Sequence, residues 1–402
     1  MPSSTSCVLP KLELMFDMSG MISCCQHSTY WLKDNNGKMY TARDNLQEVW
    51  NSESRLDWVA RLEAGEQVPE CSECWAKEAL GVTSIRQHFN HEYGNVEPCA
   101  DQPRVISIKP GIMCNTACRS CNERTSSAWF KDAYEFDREH QPNVPFKTWL
   151  QQWQPHLTSY KDNTSLEQTF DRWQEHMIFW DIYGGEPLTI PLSYRIIRGA
   201  YTAGFAHQQK IQIHTNGTVY DSELANMLNH YQHVVFAVSV DGIGAKNDYL
   251  RYPSRFDQVI DVLTQYRRDF ESHSNVDFIV RCTATPLNVW DLDQYCEYFD
   301  QLRIPYSLNN YAVDEPHNNV QYMPTEIKHQ VAEHLRDVRH PHIKELVRFM
   351  MGTPPDHEKH QLSFWKHNSK LDQLRNQSFE SVFPEWHQIW YNYIKCSDIP
   401  RR

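Results

Sequence analysis

The chain has 402 residues, 39 lysines and arginines against 51 aspartates and glutamates, and a formal net charge of −12 at pH 7. This length allows a large catalytic domain beside a smaller one, and the charge argues against nucleic acid or an anionic membrane as the main partner. No apolar run reaches membrane-spanning length, and the start lacks the basic and apolar regions of a signal peptide. We therefore expect a cytoplasmic protein whose 12 cysteines serve metal binding or catalysis rather than a disulfide framework.

The first segment, residues 1–100, contains a possible four-cysteine site. Residues 12–23 predict a β-hairpin with cysteines near both ends, and an amphipathic helix over about 46–63 leads to a C-x₂-C pair. Two thiolates from each part would make a closed site, and spacing alone favours structural zinc over an iron–sulfur cluster. The candidate ligands are Cys7, either Cys24 or Cys25, Cys71 and Cys74, with Cys99 as a spare. Only one of the adjacent pair should reach the metal, because neighbouring strand residues face opposite sides.

A second group of cysteines follows a predicted strand over residues 104–109. Cys114, Cys118 and Cys121 have C-x₃-C-x₂-C spacing on the loop that leaves this strand, and a helix is predicted over 126–134. Three thiolates on one short loop can hold three corners of an iron–sulfur cube. The fourth corner stays open, which is the mark of a catalytic metal site rather than a structural one. Spacing alone leaves half of a zinc site, or cysteines that merely pack, as alternatives.

Further motifs stand at the ends of later predicted strands. The remaining strands are predicted over residues 177–183, 210–214, 234–240, 276–283 and 306–309. The residues that follow or end them include Gly184-Gly185-Glu186-Pro187, Thr215-Asn216-Gly217 and Ser239-Val240-Asp241-Gly242, with Arg251 nine residues further on. Glycines at a strand end let the backbone approach a ligand closely. Taken singly, these motifs could also be plain turns, a capping serine and a surface ion pair.

Strand and helix alternate six times between residues 104 and 310, which predicts parallel strands with the motifs on one rim. Six units are too few for a closed eight-stranded barrel, so we expect an α/β fold built on an open, partial (β/α)₆ TIM-like barrel over 101–310. A small α+β cysteine-rich domain over 1–100 would precede it, and a helical extension over 311–402 would follow. Five histidines of that extension lack ligand spacing, and we expect them to be solvated: His340, His342, His357, His360 and His367.

The triplet C-x₃-C-x₂-C after a first strand, followed in order by Gly-Gly-Glu-Pro, resembles the signature of the radical S-adenosylmethionine (SAM) superfamily. The resemblance implies that Cys114, Cys118 and Cys121 hold a [4Fe-4S] cluster whose open iron binds SAM. Gly184, Gly185, Glu186 and Pro187 would receive the SAM amino group, Asn216 matches the third-strand motif, and Ser239 and Arg251 would hold the SAM carboxylate. One departure is Ser120, where the family usually has an aromatic residue.

The N-terminal cysteines resemble a twitch domain, the half-SPASM module that carries one auxiliary iron–sulfur cluster in radical SAM enzymes. The pattern C-x₁₂-G-x₄-C is formed by Cys7, Gly20 and Cys25, and a C-x₂-C follows. This resemblance reverses the preference for zinc and selects Cys25 over Cys24. Residues 371–386 resemble the C-terminal end of the same group, but the sequence assigns them no chemistry.

The implied activity is reductive cleavage of SAM to a 5′-deoxyadenosyl radical, which takes a hydrogen atom from an unknown substrate such as a peptide or protein. An electron donor such as flavodoxin or ferredoxin would be a partner. The alternative is a non-catalytic binding protein, stabilised by zinc or a cluster on the same scaffold. No residue of the sequence names the substrate or the hydrogen donor.

Overall fold

The computed structural model of the chain describes residues 5–28, 30–79, 81, 83–313 and 315–396. The outer ends of the first and third predicted segments, residues 1–4 and 397–402, lie outside this range. The strands are β1 (Glu13–Phe16), β2 (Ile22–Ser23), β3 (Val105–Ile108), β4 (Phe179–Ile182), β5 (Lys210–Thr215), β6 (His233–Ser239), β7 (Val276–Ala284) and β8 (Tyr306–Tyr311).

The helices before β4 are α1 (Leu9–Leu12), α2 (Leu46–Trp50), α3 (Glu53–Glu63), α4 (Ser72–Ala79), α5 (Ile85–Tyr93), α6 (Phe130–Asp137), α7 (Phe146–Gln151), α8 (Gln154–Thr158) and α9 (Thr164–Trp173). Those between β4 and β8 are α10 (Pro191–Thr202), α11 (Ser222–Leu228), α12 (Ala245–Leu250), α13 (Phe256–Phe270) and α14 (Leu292–Leu302). The last six are α15 (Thr325–His334), α16 (Pro341–Met350), α17 (His357–His360), α18 (Ser363–Arg375), α19 (Phe379–Val382) and α20 (Pro384–Cys396).

The strands form one eight-stranded sheet in the order β2-β1-β3-β4-β5-β6-β7-β8. All neighbours are parallel except β1 and β2, which pair antiparallel. The six strands predicted between residues 104 and 310 are all present as β3–β8. Because these six strands are parallel, the strand ends that precede the motifs all lie at the same edge of the sheet.

The two faces of the sheet differ in chemistry. One face is apolar and buried, with residues such as Ile106, Trp180 and Ile211, and it belongs to a hydrophobic cluster that includes residues of α10, α11, α13 and α14. The opposite face is polar: for example, Gln212 Nε2 donates to Asp181 Oδ1 at 3.1 Å. Alternation along the strands separates the faces, so helices cover one side while hydrogen-bonding groups line the other.

The N-terminal hairpin is confirmed, with Met15 opposite Ser23 and Phe16 opposite Ile22. In addition, β1 pairs in parallel with β3 over four residue pairs, so the hairpin extends the main sheet. The single helix predicted over 46–63 is wrong, since α2 ends at Trp50 and α3 begins at Glu53. Asn51 and Ser52 stand at the break, and such side chains compete with helical backbone hydrogen bonds.

The C-terminal segment is helical, as predicted, but the expectation of solvated histidines is wrong for His357, and His340, His342, His360 and His367 are half-buried. His357 is buried and its Nε2 lies 2.9 Å from the Met323 carbonyl oxygen, while the His367 ring stacks on the His317 ring at 3.7 Å. The charged neighbours in the sequence were misleading because the helices turn these rings inward. Within the described part of the chain, no helix combines the length and apolar character needed to cross a membrane.

Candidate functional site

The cysteine triplet lies on the loop between β3 and α6, and a threonine hydroxyl holds two of its thiols. Thr116 Oγ1 is 3.3 Å from Cys114 Sγ and 3.4 Å from Cys118 Sγ. Cys118 is buried, whereas Cys114 and Cys121 are half-buried. A hydrogen bond from the Cys121 thiol and the positive charge of Arg251 hold the pKa of the Cys118 thiol below its usual value. The loop therefore favours a thiolate at Cys118, the form that binds metal. Burial raises the pKa of the Cys114 thiol, and the hydrogen bond to Cys118 raises the pKa of the Cys121 thiol.

In the described residues, no group of three or more His, Cys, Asp and Glu side chains is arranged to bind a single metal ion. An iron–sulfur cluster differs from a single ion in this respect, since each thiolate binds a different iron atom.

The Gly184–Glu186 segment packs directly against the cysteine loop. Gly185 has φ +57°, and a Cβ there would lie 2.6 Å from the Met113 carbonyl oxygen. The Glu186 amide donates to the same oxygen at 2.8 Å. Gly184 has φ +84°, and a Cβ there would meet the side chain of Lys109 at 2.9 Å. Glycine is required at both positions, because the backbone has positive φ and the neighbouring atoms leave no room for a Cβ. The motif is therefore more than a simple turn.

Glu186 ties the end of β4 to the end of β5. Its carboxylate accepts hydrogen bonds from Thr215 Oγ1 at 2.8 Å, the Asn216 amide at 2.6 Å and the Leu188 amide at 3.0 Å. Burial raises the pKa of this fully enclosed carboxyl group. Pro187 begins a short 3₁₀ helix, Pro187–Thr189, that Glu186 caps. Protein donors thus occupy both carboxylate oxygens.

Asn216 brings the end of β5 to the cysteine loop. Its side-chain amide donates to Asn115 Oδ1 at 2.7 Å and to Thr116 Oγ1 at 3.4 Å, and it lies 3.9 Å from Cys114 Sγ. In return, Asn115 Nδ2 donates to Thr218 Oγ1 at 2.9 Å. Amide groups at this distance orient a thiolate and tune its charge.

Arg251 is buried beside the triplet and pairs with Asp241 rather than Asp248. Its Nη1 lies 2.7 Å from Asp241 Oδ2, whereas Asp248 caps the Phe256 amide at 2.5 Å. The Nε of Arg251 is buried without a hydrogen-bond partner in the described residues. Ser239 ends β6 on the polar face, opposite Arg281. The surface ion pair considered from the sequence is therefore wrong, because the pair is buried.

The backbone of the cysteine loop also bonds to the segment around Arg251. The Ala117 amide donates to the Tyr252 carbonyl at 2.6 Å, and the Arg119 amide donates to the Leu250 carbonyl at 2.7 Å. Gly184–Pro187, Asn216 and Arg251 thus all lie around the triplet. Sequence reasoning missed Thr116, Asp241 and Arg119, although all three stand within the motifs or beside them.

The N-terminal cysteines line a separate cavity. Cys7, Cys25, Cys71 and Cys74 are among its lining residues, together with Arg86. Burial raises the pKa of all four thiols, that of Cys71 to about 11.

The two spare cysteines of this segment have different surroundings. Cys24 is fully buried near Arg55 and Glu13, and the Cys99 carbonyl accepts from Trp50 Nε1 at 3.2 Å. Neither is among the residues lining the cavity described above.

No protein-family model and no curated protein matches this chain. Among solved structures, it is similar to anSMEcpe with bound AdoMet at 17% identity and a TM-score of 0.37, over 53% of this chain and 52% of the other. Streptococcus suis SuiB bound to S-adenosylmethionine matches at 11% identity and a TM-score of 0.39, over 84% and 69%. The radical S-adenosylmethionine methyltransferase TsrM from Kitasatospora setae, with cobalamin and a [4Fe-4S] cluster bound, matches at 14% identity and a TM-score of 0.27, over 42% and 32%. The chain spans about half the length of anSMEcpe.

Proposed function

We propose that the chain is a radical SAM enzyme in which Cys114, Cys118 and Cys121 hold a [4Fe-4S] cluster. One observation carries the proposal: three segments that are distant in the sequence contact the cysteine loop in the order the signature requires. Gly185 meets Met113, Asn216 meets the triplet itself, and the residues around Arg251 bond to the loop backbone. A simple turn at this edge of the sheet would require neither the close contact at Gly185 nor the hydrogen bonds to the cysteine loop.

The residues present fit this cofactor. The donor set consists of three soft thiols, which iron–sulfur clusters require, and hydroxyl and amide groups of Thr116 and Asn216 lie beside the sulfurs. The Arg251 guanidinium offsets negative charge on the thiolates. When bound, the cluster and SAM supply the electron transfer and the 5′-deoxyadenosyl radical that takes a hydrogen atom from the substrate.

The SAM-binding residues we propose are Gly184–Pro187, Asn216, Ser239 and Arg251. Because protein donors occupy both oxygens of Glu186, we assign the SAM amino group to the backbone carbonyls of the glycine pair, with Glu186 fixing the segment. Arg251 keeps a free Nε for the SAM carboxylate, and Asp241 holds its guanidinium in place. Arginine suits this role because its donors match a carboxylate geometrically.

We also propose an auxiliary iron–sulfur cluster at the N-terminal cavity, held by Cys7, Cys25, Cys71 and Cys74. Four thiols line this one cavity, which is the ligand number of a four-cysteine cluster and fits the twitch-like pattern of the sequence. Zinc is the alternative occupant. Iron, sulfide and zinc analysis of the purified protein distinguishes the two.

The parallel strands β3–β8 support an open, partial (β/α)₆ barrel over residues 101–310, with the cysteine-rich unit 1–100 before it and the helical extension 311–402 after it. A peptide or protein is the substrate class we propose, since the polar sheet face offers both donors and acceptors, such as Gln212 and Asp181. Flavodoxin or ferredoxin would supply the electron, and we propose a cytoplasmic location for the enzyme.

The test is SAM cleavage by the anaerobically reconstituted, reduced protein. Cys118→Ala should abolish 5′-deoxyadenosine formation, whereas Cys296→Ala should retain it, since Cys296 is equally buried but lies on α14. Cleavage that survives Cys118→Ala contradicts the assignment. Colourless protein that contains zinc and no iron would instead favour a non-catalytic binding protein.

A further inference from the structure

The geometry points to α18 as the element that positions the cysteine loop, and we propose Arg119 and Asp372 as the positioning residues that link them. This inference rests on the proposed function, since it concerns assembly of the same site. Arg119 stands between Cys118 and Cys121, and its side chain is almost completely buried, with 2% exposed. A guanidinium so enclosed must find partners for its donors within the protein.

The partners of Arg119 come from the C-terminal segment and from Tyr249. Nη2 lies 2.6 Å from Asp372 Oδ1 and 2.9 Å from Gln377 Oε1, and Nη1 donates to Asn368 Oδ1. Nε donates to the Tyr249 carbonyl at 3.1 Å, and the guanidinium carbon lies 3.6 Å from the Tyr249 ring centroid. All three nitrogens are therefore bonded, and the loop residue is fixed in direction as well as in distance.

The acceptors are themselves held in a closed network. Tyr249 Oη donates to Asp372 Oδ1 at 2.7 Å and accepts from Asn368 Nδ2 at 2.8 Å. The other carboxylate oxygen of Asp372 accepts from the Phe379 amide at 2.7 Å. Asp372 thus connects α18, the start of α19, the end of α12 and the cysteine loop. Removal of its charge leaves a buried cation without its counter-ion, so the loop must rearrange.

A second contact from α18 reaches the same loop. Arg375 Nε lies 2.9 Å from Asp132 Oδ2, and its guanidinium carbon is 4.8 Å from the Trp129 ring centroid. Trp129 Nε1 in turn donates to the Cys118 carbonyl at 2.8 Å. Both contacts act on the residues between and around Cys118 and Cys121. They explain why residues 371–386, to which the sequence assigned no chemistry, contain an aspartate and an arginine that face inward.

The position of Arg251 depends on the same network. Tyr249 stacks on Arg119, and the Arg119 amide bonds to the Leu250 carbonyl, so the residues just before Arg251 are fixed by the same guanidinium. Asp372 therefore positions the loop around Cys118 and Cys121 relative to the proposed SAM-carboxylate ligand. Asp372 contacts Arg119, Tyr249 and the Phe379 amide rather than a thiol, so it is a positioning residue.

The experiment compares Asp372→Asn with Lys370→Met, both on α18. Lys370 forms an ion pair with Glu139 at 2.8 Å, and its Nζ lies 4.3 Å from the Phe136 ring centroid. Its substitution removes these two contacts of α18 and leaves the hydrogen bonds of Arg119 in place. Anaerobically reconstituted full-length protein is treated with a chelator, and the SAM-responsive cluster signal is followed by electron paramagnetic resonance. This signal should decay about 10- to 100-fold faster in Asp372→Asn than in wild type. Lys370→Met should behave as wild type. Arg119→Lys should resemble Asp372→Asn, because lysine keeps the charge and loses the planar fork.

The N-terminal site serves as an internal control for folding. Asp372→Asn protein that keeps the N-terminal metal and loses only the triplet cluster supports positioning, whereas loss of both metals together overturns it in favour of general unfolding. Cluster stability equal to wild type also overturns it.

A further readout uses apoprotein and does not depend on the proposed function. In Asp372→Asn, Cys118 should react with iodoacetamide at least about tenfold faster than in wild type, since its loop opens. Unchanged reactivity contradicts the positioning role even if the wild-type protein binds zinc or no metal, an outcome that would refute the proposed enzyme separately.

Discussion

At the scale of single residues, Cys24 and Cys25 are adjacent in the sequence but have different surroundings. Cys25 faces the cavity that also receives Cys7 and Cys71, while Cys24 is buried near Arg55. Both cysteines lie beyond the end of β2 at Ser23, so the bend of the chain at Cys24, rather than strand alternation, separates them. Cys25→Ser should therefore lose roughly half of the iron of the reconstituted protein, whereas Cys24→Ser should keep it. Iron and sulfide quantification of the two variants is the measurement, and the reverse result would exchange the two cysteines.

Gly185, at the end of β4, can be compared with Gly204, which follows α10. Gly185 and Gly204 both have positive φ, +57° and +79°, but only Gly185 has atoms near its missing Cβ. Alanine at either position should cost about 1–2 kcal/mol of stability from the backbone alone. Gly185→Ala should also displace the segment from Met113 and lower 5′-deoxyadenosine formation about 100-fold.

Denaturant unfolding and SAM-cleavage rates measure the two effects separately. If the two alanine variants cleave SAM equally well, the close contact of the glycine segment with the cysteine loop has no functional role.

At the scale of elements, α18 carries His367, which pairs with His317 of the segment after β8, and both residues are half-buried. The His367 ring stacks on His317 at 3.7 Å, and burial lowers the pKa of His317 to about 4. Burial, followed by the charges of His317 and Arg119, also holds the pKa of His367 well below its usual value. The folded state thus favours neutral rings, and protonation of either ring destabilises it.

The consequence is a defined pH dependence of stability. A histidine with a lowered pKa in the folded state stabilises the fold fully above its unfolded value near 6.5, and this stabilisation is lost as the pH falls towards 4. Between pH 7 and pH 5 the loss should be on the order of 2 kcal/mol for His317. His317→Phe keeps a ring for stacking and should show a smaller loss, measured by guanidinium unfolding at both pH values. An equal loss in both proteins would exclude His317 as its source.

The elements also show what the sequence could predict. All six central strands were predicted because alternation and strand-end glycines are local signals. The burial of His357 and the contact of Arg119 with Asp372 were not predicted, because a contact between residues so distant in the chain leaves no local pattern. The sequence alone likewise could not choose Asp241 over Asp248 as the partner of Arg251.

At the scale of the whole molecule, the first and the last segments of the chain both pack with the central sheet. β1 extends the sheet at β3, and one hydrophobic cluster contains Leu14 of the first segment, Ile211 of the sheet and Trp390 of the C-terminal segment. The local hairpin pattern predicted β1 and β2, but not that β1 would pair with a strand some 90 residues later. Such pairing arises from the total burial of apolar surface, which no window of the sequence contains.

Shared burial makes the three segments depend on one another for stability. Removal of β1 would expose the hydrogen-bonding edge of β3 and the apolar side chains beneath it, so the first segment and the sheet should unfold together. In hydrogen exchange followed by mass spectrometry at increasing denaturant, peptides that contain β1 and β3 should therefore open with the same free energy and the same denaturant dependence. Exchange from residues 5–100 at lower denaturant, with β3–β8 still protected, would contradict this coupling. The N-terminal cysteine unit would then be an independent module, and its metal could be lost without disturbing the triplet.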